Sequence, residues 1–248
     1  MSTRAPIRVG TAGWSVASRY LSEIPAGGSH LERYAGVFSA VEINSSFYKH
    51  HRTATYARWA SSVGEDFRFA VKTPKALTHE GALVPRESEV LTRFLEEIEG
   101  LGSKLGVLLV QLPPSLAFDQ ADAGAFFTQL RSHLAPATAI ACEPRHASWG
   151  TPDVDAHLKK LGVSRVAADP ARWAAAGQPG GDRGVAYFRM HGTPSVYFSD
   201  YDAERLDLLR SQLEKAVIRS ESVWCIFDNT AHGHAVGNAL SIQRALRA

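Results

Sequence analysis

The chain has 248 residues, 45% of them apolar and 21% charged, and a net charge of +2. That is enough chain to bury a large core without disulfides or a structural metal, and the near-neutral balance excludes the global basic field that would by itself announce a nucleic-acid binder. The opening MSTRAPIRVG lacks a hydrophobic signal segment and no apolar run nears the roughly 18 residues a membrane span needs, so the expectation is a cytoplasmic protein with no membrane partner.

Read in chain order, IRVG (7–10) is a short buried strand followed by the Gly-rich turn TAGWS. HLERYAGVF (30–38) has helical spacing, AVEI (40–43) is a second strand, TATYARWASSV (53–63) is helical, and FRFAV (67–71) is a third strand. SEVLTRFLEEIEGLG (88–102) is the clearest helix, with Val90, Leu91, Phe94, Leu95, Ile98 and Leu101 on one stripe and Gly102 as its stop. LGVLLVQL (105–112) is a fully apolar strand closed by Pro113-Pro114, and DAGAFFTQLRSHL (122–134) is a helix. Next come the strand TAIACEP (138–144), the helix DVDAHLKKLG (153–162) with Asp153 as its expected cap, and the strand RVAAD (165–169).

The regularity then lapses: 170–184 is small, Gly-rich and reads as a loop that could act as a lid. VAYFRM (185–190) and SVWCIFDN (222–229) are the last two strands, each followed by a helix, 203–220 and 235–248. Eight strands alternating with about seven helices predict an α/β fold with a parallel sheet, and eight is the number that closes a TIM-like (β/α)8 barrel, here a single domain over 1–248 with an irregular sixth helix. An open doubly wound sheet would more often show G-x-G-x-x-G after its first strand; Gly10 and Gly13 lack that spacing.

Each apolar run ends in polar residues, and in such a barrel these ends share one mouth. The abrupt change from TAIAC to Glu143, Pro144, Arg145 and His146 is the sharpest case. Collected in this way, Glu42, His79, Glu143, His191 and Asp228 are candidate acids, bases or proton carriers. Trp14, Asn44, Tyr48, Lys72, Gln111, Arg145, Arg189 and Asn229 are candidate ligand contacts. Two chemistries fit this set. Glu42, His79, Glu143, Asp169, His191, Asp228 and His232 are ligand types for zinc, manganese or magnesium, although no H-E-x-x-H or C-x-x-C spacing occurs, so a divalent metal is an open cofactor. Lys72, Arg145 and Arg189 would instead hold phosphate or carboxylate.

His50-His51 and His232-x-His234 read as loop residues, Cys142 and Cys225 as buried reduced thiols, and Trp14, Tyr48 and Trp149 as aromatics able to stack on a sugar or base.

GTAGW, VEINSSFY, FRFAVKTPKALTH, LGVLLVQLPPS, CEPRHASW, YFRMHG and FDNTAHGHAVGNA, in that order from Ile7 to Ala239, resemble the YecE-like domain-of-unknown-function 72 family. The resemblance implies a TIM barrel but no reaction. That barrel is similar to those of the endonuclease IV and xylose isomerase group, which suggests nucleic-acid or metal-dependent activity by fold analogy alone. The leading expectation is therefore a polar cleft that binds a small anionic, phosphate-bearing ligand, with a phosphoester hydrolase as the enzyme class it suggests. The alternatives are a metal-dependent phosphodiesterase or nuclease with a nucleic-acid partner, and a non-catalytic binding or scaffold protein.

Overall fold

The computed structural model describes residues 5–80, 83 and 89–247. Its elements follow one another as β1 (Ile7–Thr11), α1 (His30–Ala35), β2 (Ala40–Ile43), α2 (Thr53–Ser61), β3 (Arg68–Lys72), α3 (Lys75–Thr78), α4 (Glu89–Ile98), β4 (Leu105–Gln111), α5 (Gln120–His133) and β5 (Ala139–Glu143). The second half adds α6 (Pro152–Lys160), β6 (Val163–Arg165), β7 (Ala167–Asp169), β8 (Gly180–Gly181), β9 (Val185–Met190), α7 (Ala203–Val217), β10 (Ser222–Phe227) and α8 (His234–Ala245). The expected helices starting at Ser88 and ending at Ala248 extend outside the described residues at those two positions. The cap of α6 is Thr151, whose side chain accepts from the Val154 N–H; Asp153 lies inside the first turn after Pro152 instead. Proline fits at the first helical position because its missing N–H has no partner there, and this moves the cap one residue upstream of it.

The fold is mixed α/β with parallel sheets. One sheet runs β2-β3-β4-β5-β6-β8 and the other β1-β10-β9-β7; every pairing is parallel except the two-residue β8 against β6. The expected strand 165–169 is split: β6 pairs with β5, β7 pairs with β9, and Val166 between them donates to the Cys142 carbonyl at 2.8 Å. One extended run thus passes from the first sheet to the second.

The other meeting of the sheets, between β1 and β2, is made partly by a side chain. The Tyr34 hydroxyl donates to the Ala40 carbonyl at 2.9 Å and accepts from the Thr11 N–H at 2.8 Å, and Gly13 N–H donates to the Glu42 carbonyl at 2.8 Å. Gly10 permits this approach, since a Cβ there would meet the Ala40 carbonyl oxygen.

Alternation along the strands separates two apolar layers. One face of each strand, with residues such as Leu108, Val110, Ile140 and Cys142, packs under the helices. The other face forms an inner cluster of Ala40, Ala70, Val107, Leu109, Ala141, Val166, Val185, Tyr187, Trp224 and Ile226. Both cysteines are buried and free, as expected.

Residues 170–184 contain no α-helix: a 3-10 turn at Ala174–Gly177 and β8 take its place. The expected lid is tied down, because the Arg165 guanidinium donates to the Ala175 and Gln178 carbonyls and to Asp155.

Tyr34→Phe keeps the ring but leaves the Thr11 N–H and the Ala40 carbonyl buried without that partner. The expected cost is about 1–3 kcal/mol, read as a lower urea midpoint at unchanged slope; an unchanged midpoint would mean the hydroxyl does not join the sheets.

Candidate functional site

The same alternation builds a polar layer above the inner apolar one. Two residues on from Ala40, Ala70, Leu109, Ala141, Tyr187 and Ile226 stand Glu42, Lys72, Gln111, Glu143, Arg189 and Asp228. A step of two returns each side chain to the same face, so these residues converge at the strand C-terminal ends. All six are buried.

Arg189, 0% exposed, is the centre of this layer. Its Nε donates to Glu42 at 2.9 Å, one terminal nitrogen donates to Glu143 at 2.9 Å, and the other contacts Glu42 and Asp228 at 2.5 and 3.0 Å. Tyr187 donates its hydroxyl to Glu42 at 2.9 Å. His191 lies between two of the same acids, with Nδ1 3.1 Å from Asp228 and Nε2 2.9 Å from Glu143. Burial alone would drive its proton off, but Glu143 and the hydrogen bond to Asp228 reverse this and raise its pKa. Carboxylates at both ring nitrogens thus favour the charged form of His191. Burial likewise opposes ionisation of Glu143, and the His191 and Arg189 charges overcome it, holding the carboxyl well below its usual range. Asp228 is lowered against burial by Arg189 and His191.

Two cations remain at the edge of this network. Arg145 donates to Glu143 at 3.1 and 3.2 Å and is half-buried; burial would weaken its charge, while Glu143 and the Tyr197 hydroxyl strengthen it. Lys72 rests its ammonium 3.9 Å from the centre of the Phe47 ring and, among the described residues, makes no ion pair. Burial first, and then Arg189, push its pKa down to about 8. His79 packs its ring edge-on against Phe47 at 5.0 Å and is lowered by burial, then by Lys72 and Arg145. Among the described residues, the buried oxygens Asn44 Oδ1, Thr73 Oγ1 and Gln111 Oε1 have no hydrogen-bond partner.

The structure therefore brings together Glu42, Asn44, Lys72, Gln111, Glu143, Arg145, Arg189, His191 and Asp228, with His79 beside them. Three other expected ligand contacts have different neighbours: Trp14 packs edge-on against Trp59 at 5.1 Å, Tyr48 is 80% exposed with its ring 4.9 Å from that of Phe47, and Asn229 bonds to Ser199 and Asn238. Asn229 is one residue past Asp228 and so faces α8. Arg189 also changes role: its donors are consumed by three carboxylates and it cannot reach a ligand. Trp149 is buried against Phe118, with its N–H on the Leu116 carbonyl. Asp169 accepts from Tyr201 and Thr193, and His50 and His51 contact Glu97 and Ser45. Among the described residues no three His, Cys, Asp or Glu side chains are placed to hold a metal; the guanidinium fills the centre of the acid cluster, so these residues do not fit one. Tyr187, Phe47 and Tyr197 were not anticipated. Tyr187 was findable two positions before Arg189; Tyr197, at φ +72°, sits in a loop whose path no local pattern reveals.

A parallel α/β protein with a buried ionic network at its strand ends is the class these observations define. The chain belongs to the family described as "Protein of unknown function DUF72", whose model matches residues 8–248. It is similar to the UPF0759 protein YecE of Escherichia coli K12, at 31% identity over 107 residues, a match covering 43% of this chain and only 38% of that protein. The UPF0759 protein YunF of Bacillus subtilis 168 is 22% identical over 94% of this chain and 92% of its own length. A DUF72 family protein of Enterococcus faecalis V583 superposes with a TM-score of 0.82 at 25% identity, covering 98% of this chain and 96% of that one. A xylose isomerase-like TIM barrel/4-hydroxyphenylpyruvate dioxygenase fusion protein is a fold likeness alone, with a TM-score of 0.52 at 14% identity over 98% of this chain and 42% of that one. Among the described residues no helix is long and apolar enough to cross a membrane.

Arg189→Met leaves three buried carboxylates without their cation and is expected to cost about 3–5 kcal/mol in chemical denaturation; a loss below about 1 kcal/mol would show that water already screens the cluster. His191 gives a pH signature. Its folded pKa is raised, so its contribution is fully present below the unfolded value of about 6.5 and is lost as pH rises through the folded value. The melting-temperature gap between the native protein and His191→Gln is therefore expected to be widest near pH 6 and to narrow in alkali, and a gap that widens with pH would contradict the imidazolium.

Proposed function

We propose that the chain is a single closed (β/α)8 barrel whose strand-end mouth binds a small anionic, phosphate-bearing ligand through Lys72 and Arg145. Counting β6 and β7 as one run, eight parallel strands follow one another around the molecule, and backbone hydrogen bonds span both places where the sheets meet. The likeness to a xylose isomerase-like TIM barrel supports the same reading.

The observation that carries the ligand class is the charge balance. With His191 protonated, Lys72, Arg145, Arg189 and His191 face Glu42, Glu143 and Asp228, a surplus of one positive charge. Arg189 and His191 offset two of the three acid charges from within and Arg145 shares Glu143 with them, so the surplus charge falls to Lys72 and the outer face of Arg145, which are left to meet an anion. Gln111 and Asn44 offer amide groups beside them. The hollow bounded by Glu143, Arg145, Arg172, Trp173 and His191 is only about 10 Å³, room for one water, so the ligand would lie at the rim. In this reading Glu42, Glu143, Asp228 and His191 hold the framework, and His79, whose pKa is lowered by burial and then by Lys72 and Arg145 and whose Nδ1 lies 2.8 Å from the Thr78 hydroxyl, carries a proton through its other nitrogen. A metal-dependent phosphodiesterase would need the acid cluster open to a cation, and Arg189 occupies that position. A scaffold with an idle cleft gives no reason for a buried lysine that, among the described residues, has no ion-pair partner.

Titration with inorganic phosphate and a panel of phosphorylated metabolites, followed by thermal shift and calorimetry, tests the reading. Arg145→Ala is expected to weaken binding about 10- to 100-fold, the size of one or two charge-assisted hydrogen bonds. Its melting temperature should stay near the native value, because Glu143 keeps Arg189 and His191. No saturable binding, or equal affinity in the variant, would overturn the proposal; a large loss of stability would make Arg145 a structural residue.

A further inference from the structure

Lys72 is the group the fold explains least. A lysine this buried, 8% exposed, is ordinarily paired with a carboxylate. Here Glu42, Glu143 and Asp228 lie close enough to act on it electrostatically, yet each is bonded to Arg189 and two of them also to His191. Its ammonium faces an aromatic ring instead. Among the described residues, unpartnered buried side-chain oxygens occur at Asn44, just beyond β2, and at Gln111, at the end of β4, the two strands that flank β3. These are the surroundings of an amine held for use rather than for an ion pair.

We infer that Lys72 is a carbonyl-capturing amine, forming an imine with an aldehyde or ketone group of the anionic ligand whose phosphate or carboxylate rests on Arg145. This rests on the reading of the mouth as an anion site. The Lys72 nitrogen attacks the carbonyl carbon; a C–N bond forms and the carbonyl π pair moves to oxygen. One proton passes from nitrogen to that oxygen, giving a carbinolamine. The second N–H proton leaves with the hydroxyl as water while the nitrogen pair forms the C=N bond. Amine plus carbonyl thus becomes imine plus water, with nothing oxidised or reduced. His79, which shares the Phe47 ring with Lys72 at 5.0 Å, is the neutral base that takes the proton from nitrogen and returns it to the departing hydroxyl. The carboxylates held by Arg189 would offset the charge of a protonated imine.

The local charges favour this chemistry. An amine attacks only when unprotonated, and burial with the Arg189 charge acts against the proton on Lys72 more than Glu42, Glu143 and Asp228 act for it. At a pKa of about 8, roughly a tenth of the amine is free at pH 7, whereas ordinary lysines are almost wholly protonated.

The test is reductive trapping on the intact chain. The protein is incubated with dihydroxyacetone phosphate, with pyruvate, or with uncharged dihydroxyacetone, then reduced with sodium borohydride and peptide-mapped by mass spectrometry. The expected result is one adduct at Lys72, at least tenfold above Lys49, Lys75, Lys104, Lys159, Lys160 and Lys215, formed with an anionic carbonyl and far less with dihydroxyacetone. Its yield should rise with a midpoint near pH 8. Lys72→Arg, which keeps the charge and is checked for native melting, should give no adduct. Labelling spread across the lysines, or unchanged in Lys72→Arg, overturns the inference. Native phosphate binding without an adduct sinks the imine and leaves the anion site standing. A Lys72 adduct that forms equally with dihydroxyacetone, in a protein that does not bind phosphate, keeps the imine and removes the anionic substrate class.

Discussion

Arg189 holds together a group of charges that could not otherwise share one dry space. Three carboxylates brought together away from water repel one another, and at least one would normally take up a proton. The guanidinium prevents this because it is planar, permanently charged and carries five donors in a fixed fork. It reaches acids from β2, β5 and the end of β10 while standing on β9, so a single side chain links strands of both sheets. A lysine could place one point charge there and would leave acceptors unmet. Such a network is not a cheap source of stability, since well-packed apolar groups would often do as well. What it supplies is position: each carboxylate oxygen has one place to be.

The network can be buried because the layer beneath it is closed. Small residues on β2, β3 and β5 (Ala40, Ala70 and Ala141) share the inner cluster with Tyr187 and Trp224, whose rings stack at 5.9 Å. Gly106 is part of this fit, as a Cβ there would meet the Trp224 ring at 2.7 Å. The buried apolar layer below covers the acids on that side, and their polar neighbours lie toward the strand-end face. Tyr187 belongs to both layers, apolar in its ring and bonded to Glu42 through its hydroxyl. Packing and charge are joined at that residue.

Much of this was legible from sequence because strand alternation is a simple rule. The runs AVE, FAVK, LLVQ, IACE, YFR and CIFD each place a polar residue two positions beyond an inner apolar one. Collecting every polar residue after a strand, without applying that register, admits Asn229 together with Asp228, although consecutive residues point to opposite faces. It likewise admits Trp14 and Tyr48, which lie in turns where the period of two no longer holds. The Asp153 cap failed for a similar local reason, since Pro152 claims the first helical position and Thr151 precedes it. Other facts depend on distant parts of the chain. That Arg189 is surrounded by acids, rather than facing a ligand, requires residues separated by as many as 147 positions to meet. That Tyr34 joins β1 to β2 requires the sheets to approach where only one isolated bridge, Ala12 to Glu42, pairs them, and no short motif encodes this.

The framework and the free cations are also not independent. Lys72 responds to Arg189, whose charge disfavours its ammonium, and to the three carboxylates, whose charges favour it, so the two influences oppose each other. Burial then decides, and burial is itself a product of the closed layer below and of the Phe47 ring against the amine. Burial first, and then the same cations that attract an anion, lower the pKa of His79. An acid cluster without its central arginine would draw Lys72 into an ion pair, hold its proton more tightly and close the mouth to anions. The residue that never meets a ligand is thus the one that determines what the ligand meets.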